Sequence, residues 1–160
     1  MTILNIKYRN EGLERLLSNL NAYSFDMDGY NFNSYEGFVQ SLKTPVMSLK
    51  QVIWKQHGYE AWKSGEKLDW YTKQELYWIE KPIDRHSEEY LDLITRAYDC
   101  LYKNDEFREN LIASYPCKLE HSIGGTDPHK TIMTRKEFLY QLNRLRDKSQ
   151  ERKFHSLFNF

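Results

Sequence analysis

Apolar side chains recur at intervals of three and four residues in several segments of this chain, which is the spacing of one buried face of an α-helix. On this pattern we predict helices over residues 11–20, 34–43, 47–56 and 88–102. A further helix should begin after Thr134, because Glu137 stands where a capping box requires a carboxylate. The apolar face of that helix consists of Phe138, Leu139, Leu142 and Leu145.

Shorter alternating segments predict a minor β component. Residues 1–8 alternate weakly, which indicates a short strand. Asp28-Gly29 is a hairpin-turn signal between two aromatic segments, so we expect a β-ribbon that leads into the helix at Ser34. The sequence therefore predicts a mostly α fold, a single compact helix-rich domain with a small N-terminal β-ribbon. This domain should span residues 1–160, with a core at about residues 20–146 and a charged, aromatic C-terminal tail at residues 147–160 that packs back on the core or contacts a partner.

The segment 34–43 is the most informative one. As a helix it places Ser34, or its neighbour Asn33, at the N-cap. One stripe is apolar and consists of Tyr35, Phe38, Val39 and Leu42. A second row, about a third of a turn away, carries Glu36, Gln40 and Lys43. This row is either a solvated polar edge with a Glu36–Lys43 attraction, or the wall of a cleft.

Charge and composition narrow the class of protein. Hydrophobic residues make up 40% and charged residues 29% of the 160 residues, which is typical of a globular chain. The formal net charge is zero, so no overall basic field attracts nucleic acid, although a local basic groove remains open. Aromatic residues reach 15%; most should fill the core, and a few could stack a base.

The sequence indicates neither a metal site nor a membrane segment. Cys100 and Cys117 have no metal-ligand spacing, and we interpret them as free thiols in a reducing compartment. The N-terminus has charges where a signal peptide would be apolar, and no stretch is long and apolar enough for a membrane span. We expect a cytoplasmic location, in the host cytoplasm if the gene is viral, and no cofactor.

Several segments resemble one family. The pattern Ser-x-Glu-x-x-x-Gln-x-x-Lys over residues 34–43, entered from Phe-x-x-x-Gly at 25–29, resembles the opening motif of the NADAR family, the YbiA-like N-glycosidases. The segments 104–114 and 119–125 and the pair Asp69-Trp70 are similar to later elements of that family. The resemblance implies a compact, mostly helical fold and hydrolysis of an N-glycosidic bond in an ADP-ribose-type or ribosylated substrate.

The resemblance also implies roles for individual residues. The central catalytic carboxylate would be Glu36, beside the anomeric carbon, while Glu120 or Asp127 would orient water or a ribose hydroxyl. Ligand-binding residues would be Ser34, Gln40, Lys43, Trp70, Arg85 and His121.

Three of these residues have structural alternatives. Trp70 could instead be a core ring, and His121 a buried structural histidine. Arg85 lies in a loop at a predicted helix start, where a guanidinium and free N–H groups suit a phosphate. The alternative for Arg85 is a surface ion pair with Asp84 or Glu88.

The chain departs from the family pattern at two places. Gly37 stands where a histidine often follows the family's glutamate, and no Trp-Gly element follows Gly125. We interpret these differences as the mark of a divergent, viral or phage subgroup. They leave open which acid partners Glu36.

The substrate stays open at this stage. Candidates are ADP-ribose on guanine in DNA or RNA, a ribosylated intermediate of riboflavin synthesis, and free ADP-ribose or NAD. Two other classes remain: a module that binds ADP-ribose or NAD without cleaving it, and a host-interaction protein with a decayed pocket.

Overall fold

The computed structural model describes residues 1–158, which form one helix-rich domain. The elements follow one another along the chain as β1 (Ile3–Asn5), α1 (Gly12–Leu16), β2 (Phe25–Met27), β3 (Tyr30–Phe32), α2 (Tyr35–Ser41), α3 (Met47–Trp54), α4 (Gly58–Glu66), β4 (Glu75–Trp78), β5 (Lys81–Asp84), α5 (Glu88–Leu101), α6 (Asp105–Ala113), β6 (Lys118–Glu120) and α7 (Arg135–Phe158). The predicted fold class is confirmed.

The strands form three separate two-stranded ribbons. The predicted hairpin is present, with β2 and β3 antiparallel and Phe25 opposite Phe32. Its turn residues Asp28 and Gly29 have φ values of 55° and 82°, the left-handed pair that a tight hairpin turn requires. β4 pairs antiparallel with β5, and β1 pairs in parallel with β6. The last pairing joins the N-terminal strand to a segment more than a hundred residues away.

Helix α2 lies at the centre of the fold, and all seven of its residues are buried. Its apolar stripe is buried as predicted, and the polar row is buried as well, with Glu36 8% and Gln40 5% exposed. The solvated-edge interpretation is therefore wrong. Helices α3, α4 and α5 pack around α2, so the polar row is covered by neighbouring elements.

Helix α1 is shorter than the predicted 11–20 segment. The chain turns after Leu17 because the Asn21 side chain donates to the carbonyl oxygens of Arg15 and Ser18, at 2.5 and 2.9 Å. Those hydrogen bonds take the acceptors that a continuing helix would use. The turn carries Ser18, Asn19 and Leu20 past the N-terminal end of α2.

Helix α7 begins with the predicted capping box. The Thr134 N–H donates to Glu137 Oε1 at 2.8 Å, and the Glu137 N–H donates to Thr134 Oγ1 at 3.1 Å. The helix does not end near residue 146 but continues to Phe158. Ser149 is still buried and hydrogen-bonds to Tyr102, so the core extends past the predicted boundary.

Residues 151–158 are exposed and helical. They do not pack back on the core, so the packing expectation for the tail is wrong for residues 151–158, although it holds around Ser149. Phe160, the last aromatic residue of the predicted tail, lies outside the described residues. No helix of the described chain combines the length and the apolar character that crossing a bilayer requires.

Candidate active site

A cavity of about 470 Å³ lies on the side of α2 that carries Glu36 and Gln40. One wall comes from residues 18–20 and the N-terminal segment, and another from helix α4. The opposite wall consists of the segments 121–125 and 131–133. The volume falls in the range of small-molecule sites.

Glu36 is held in this cavity by two hydrogen bonds. Its backbone N–H donates to the Asn19 carbonyl oxygen at 3.0 Å, and its Oε1 accepts a bond from Gln40 Nε2 at 2.7 Å. Burial raises the pKa of Glu36, and the Gln40 hydrogen bond and the positive charge of Lys43 oppose that rise. The second oxygen, Oε2, accepts no hydrogen bond from the described residues. Glu36 therefore offers a free carboxylate oxygen in a partly desolvated site.

Gln40 is fixed by close packing against Gly65 of α4. A Cβ placed at Gly65 would lie 1.7 Å from Gln40 Oε1 and 2.5 Å from Gln40 Cδ. The Gln40 amide oxygen is buried and has no hydrogen-bond partner within residues 1–158. The absence of a side chain at Gly65 thus determines where the amide that supports Glu36 can lie.

Lys43 is the third member of the row, but it does not line the cavity. Its Nζ donates to the Gly65 carbonyl oxygen at 3.3 Å. Burial lowers the pKa of Lys43, and the charges of Glu36 and Glu66 act in the opposite direction. The structure therefore gives Lys43 an electrostatic influence on Glu36.

Ser34 and Gly37 shape the start of α2. The Ser34 Oγ accepts a hydrogen bond from the Gly37 N–H at 2.9 Å and donates one to the Gln56 carbonyl oxygen at 2.8 Å. This buried hydroxyl is therefore engaged both as an acceptor and as a donor. A Cβ at Gly37 would lie 2.8 Å from the Ile53 carbonyl oxygen. Ser34 is thus placed as a helix cap, and the close backbone explains why position 37 has no side chain.

Trp70 and Arg85 lie outside the cavity lining. Trp70 is 7% exposed and belongs to the hydrophobic core. Arg85 is 2% exposed, forms a two-pronged ion pair with Glu137 at 2.6 and 3.2 Å, and donates from Nε to the Thr131 carbonyl oxygen. The surface pair with Asp84 or Glu88 is therefore wrong. The Arg85–Glu137 pair fixes the residue 131 segment, which is one wall of the cavity.

His121 does line the cavity. Its Nδ1 lies 2.7 Å from the Ile6 carbonyl oxygen, an acceptor, so Nδ1 carries the proton in the neutral ring. Burial lowers the pKa of His121, which favours that neutral form at pH 7. A Cβ at Gly124 would lie 2.5 Å from the ring, so the glycine lets the turn pass close to His121. The Nε2 atom has no hydrogen-bond partner in the described chain and can accept one.

The other two predicted carboxylates are elsewhere. Glu120 pairs with Lys118 at 2.9 Å, and Asp127 accepts the His129 N–H at 2.9 Å. Both side chains are substantially exposed, at 38% and 46%. Of the carboxylates in residues 1–158, Glu36 alone lines the cavity. The catalytic assignment of Glu120 and Asp127 stays a prediction, with no position in this cavity.

An aromatic wall at the cavity mouth was not singled out from the sequence. Tyr59 and Trp62 of α4 are 54% and 44% exposed, and the Tyr59 ring meets Tyr8 edge-on at 5.2 Å. Arg15 also lies over the Tyr8 ring, 4.1 Å from its centroid. The spacing of Tyr59 and Trp62 on a polar helix was a usable signal, because large exposed aromatics one turn apart often mark a contact surface. No sequence signal places Tyr8.

The remaining polar groups of the cavity include a cation. Arg9 lines the cavity, is exposed and forms no ion pair within residues 1–158. Over the same residues, no group of three or more His, Cys, Asp or Glu side chains is arranged to hold a metal ion. The cavity thus combines one buried carboxylate, one neutral imidazole, an aromatic wall and a free guanidinium.

The domain that forms this cavity has a YbiA-like fold. The NMR structure of the Escherichia coli protein YbiA superposes with a TM-score of 0.61 at 17% identity, over 96% of this chain and 88% of that chain. Within this fold class the chain belongs to the family of bacteriophage protein GP30.3, whose family model matches residues 13–147. A 17.1 kDa protein of the Gp30–rIII intergenic region of Enterobacteria phage T4 is 35% identical over 137 residues, 82% of this chain and 88% of that protein. The expectation of a YbiA-like phage protein is confirmed to this extent.

Proposed function

We propose that this protein is an N-glycosidase that hydrolyses the N-glycosidic bond of an ADP-ribosylated or ribosylated nucleobase. The observation that carries the proposal is Glu36, a buried carboxylate in the main cavity with one oxygen held by Gln40 and the other free. The YbiA-like fold and the motif over residues 34–43 support the same assignment.

The chemistry requires a negative group near a sugar that becomes cationic. As the bond to the base breaks, positive charge develops on the anomeric carbon and ring oxygen, by analogy with other glycosidases. An ionised Glu36 would stabilise that charge more strongly in the buried site than in water. The Gln40 amide orients the carboxylate, and Lys43 favours its charged form. The base leaves with the electron pair of the broken bond, and the neutral His121, with Nε2 free, would accept a proton from the attacking water and pass it to the nitrogen of that base.

The cavity mouth suits the rest of such a substrate. Tyr59 and Trp62 present exposed rings on which a base can stack, and Arg9 offers a charge for a phosphate. These features fit ADP-ribosyl-guanine in a nucleic acid, free ADP-ribose or NAD, and a ribosylated intermediate of riboflavin synthesis. The substrate can be free or attached to DNA or RNA, and the action would take place in the cytoplasm of the phage's host.

The experiment compares two carboxylate-to-amide variants. Wild type, Glu36→Gln and Glu120→Gln are incubated with an ADP-ribosylated oligonucleotide, NAD, ADP-ribose and riboflavin intermediates, and the released base is measured by chromatography. Glu36→Gln should lose on the order of a hundredfold or more in kcat with little change in KM, because the charge acts mainly in the transition state. Glu120→Gln makes the same chemical change outside the cavity and tests the second predicted carboxylate separately. Full activity of Glu36→Gln would refute the assignment, and loss in Glu120→Gln would move it there.

A second candidate is a non-catalytic module that binds ADP-ribose or NAD. It is favoured by the finding that no carboxylate besides Glu36 lines the cavity in the described chain, whereas most glycosidases use two. Nucleotide binding without base release from any of these substrates would support it. A host-interaction protein with a decayed pocket would show no thermal shift with any nucleotide.

A further inference from the structure

Asn19 occupies a distinctive place in the cavity. It stands in the turn after α1, lines the cavity and is partly exposed to it. Its backbone carbonyl oxygen accepts the Glu36 N–H at 3.0 Å, which anchors it beside the proposed catalytic carboxylate. Asn19 and Glu36 therefore both line the cavity and are joined directly through their backbones.

The orientation of the Asn19 amide is determined by Tyr98. The Tyr98 hydroxyl donates to Asn19 Oδ1 at 2.9 Å, and its other neighbour is Met133 Sδ at 3.5 Å. An amide oxygen is a much stronger acceptor than a thioether, so the hydroxyl proton points to Oδ1. Burial raises the pKa of Tyr98 well above its usual value, so this hydroxyl keeps its proton.

With Oδ1 engaged, the NH₂ group of Asn19 is the part left for a ligand. In residues 1–158, its one hydrogen-bond partner is Met133 Sδ at 3.8 Å, which is a weak acceptor at long range. Nδ2 of this cavity-lining residue thus carries two N–H bonds and has no strong acceptor among the described residues. Binding an oxygen acceptor there would satisfy it without any rearrangement of the amide.

We propose that Asn19 is a substrate-binding residue that donates from Nδ2 to an oxygen of the ribose that carries the ADP-ribosylated base, which is the terminal ribose of ADP-ribose, and that Tyr98 is its positioning residue. The inference rests on the proposed function, because it takes the ligand of this cavity to be a ribosyl compound. It names the recognised group: a ribose oxygen that accepts a hydrogen bond beside Glu36. A ligand that lacks this ribose loses the contact.

The test compares ADP-ribose with ADP, which lacks the terminal ribose. Titration calorimetry of both ligands is carried out on wild type, Asn19→Ala, Asn19→Asp, Tyr98→Phe and the double variant Asn19→Ala/Tyr98→Phe. Asn19→Ala should weaken ADP-ribose binding about tenfold and ADP binding less than twofold, since one hydrogen bond is lost to one ligand. Asn19→Asp has the same size but no donor, so it should lose at least as much.

Tyr98→Phe separates positioning from structure. It keeps the ring that stacks on Tyr35 at 3.8 Å and removes the hydroxyl, so it should show the same selective loss of ADP-ribose binding. The double variant should lose no more than Asn19→Ala alone, because the hydroxyl acts through the amide. Tyr102→Phe is the matched control, since it removes a buried tyrosine hydroxyl that bonds to Ser149 and does not line the cavity. It should leave the affinity for both ligands unchanged.

The outcomes distinguish this inference from the glycosidase proposal. Equal losses for both ligands, no loss in Asn19→Ala, or no binding of ADP-ribose by the wild type would overturn the role of Asn19. If the variants lose ADP-ribose binding selectively but the wild type releases no base, the glycosidase proposal is refuted and Asn19 remains a ribose-binding residue. If the wild type releases base and Asn19→Ala binds ADP-ribose with unchanged affinity, the role of Asn19 is rejected and the glycosidase proposal stands.

Discussion

The packing of Gly65 against Gln40 gives a test of how Glu36 is held. Substitution of Gly65 by alanine places a methyl group 1.7 Å from Gln40 Oε1, 2.5 Å from Cδ and 2.8 Å from Cβ. The backbone of Gly65 is not in the left-handed region, so alanine is conformationally allowed and the effect comes from the clash. The Gln40 side chain, 5% exposed, must leave its position and with it the 2.7 Å hydrogen bond to Glu36.

The size of the effect follows from three contributions. Overpacking of a buried position costs about 1–3 kcal/mol. The lost hydrogen bond to a charged group costs about 1.5–3 kcal/mol. The higher helix propensity of alanine compared with glycine offsets about 1 kcal/mol of this loss in stability. We therefore expect Gly65→Ala to lower the free energy of unfolding by about 3 kcal/mol, or roughly 6–12 °C in Tm for a domain of this size.

Circular dichroism melts of four proteins measure this effect: wild type, Gly65→Ala, Gln40→Ala and the double variant. In the Gln40→Ala background the two shortest contacts are gone, and the contact with Cβ at 2.8 Å remains. Alanine at 65 should then cost at least 1 kcal/mol less than in wild type, a coupling that a double-mutant cycle resolves. A Gly65→Ala protein as stable as wild type, or additive effects, would refute the close packing of these two residues.

Other predictions follow from the buried charges. Burial raises the pKa of Glu36, so ionisation of this carboxyl destabilises the fold as pH rises from the unfolded-state pKa through the folded-state pKa. Glu36→Gln should therefore have a Tm at least as high as that of the wild type at pH 7. Below pH 4 the difference in Tm should disappear. Arg85→Ala should leave Glu137 unpaired and lower the free energy of unfolding by about 3–5 kcal/mol, measured by urea denaturation, whereas an unchanged midpoint would contradict the ion pair. Burial lowers the pKa of Lys50 to about 7, so above that pH the unfolded chain binds more protons than the folded chain. The free energy of unfolding should therefore rise from pH 7 towards pH 10, and Lys50→Met should flatten this rise. Identical pH profiles of the two proteins would contradict the lowered pKa.

Much of the local structure could be predicted from the sequence because its signals are local. The spacing of Tyr35, Phe38 and Val39 defines one face of α2 whatever surrounds it, and Asp28-Gly29 defines a hairpin turn by its backbone preference alone. The capping boxes and N-caps likewise depend on residues three positions apart. The row of Glu36 and Gln40 could be identified for the same reason.

The environment of that row was decided by tertiary structure. Whether Glu36 faces water or a cavity depends on α4 and the segment 131–133, which the chain reaches only after many intervening residues. Periodicity within one helix carries no information about which other element covers a given face. The sequence could therefore place Glu36 and Gln40 in one row of α2, while the walls of the cavity that they line could not be predicted.

Long-range partners account for the remaining differences. Arg85 binds Glu137, 52 positions away, and Asn19 is oriented by Tyr98, 79 positions away, so neither contact leaves a pattern in the neighbouring sequence. The sequence by itself determined α2, α3, α5, the β2–β3 hairpin and the capping box of α7, because these depend on backbone preferences and side-chain spacing within a few residues. Tertiary structure decided which polar groups became buried partners and which stayed free for a ligand, because only packing brings distant segments together around one cavity.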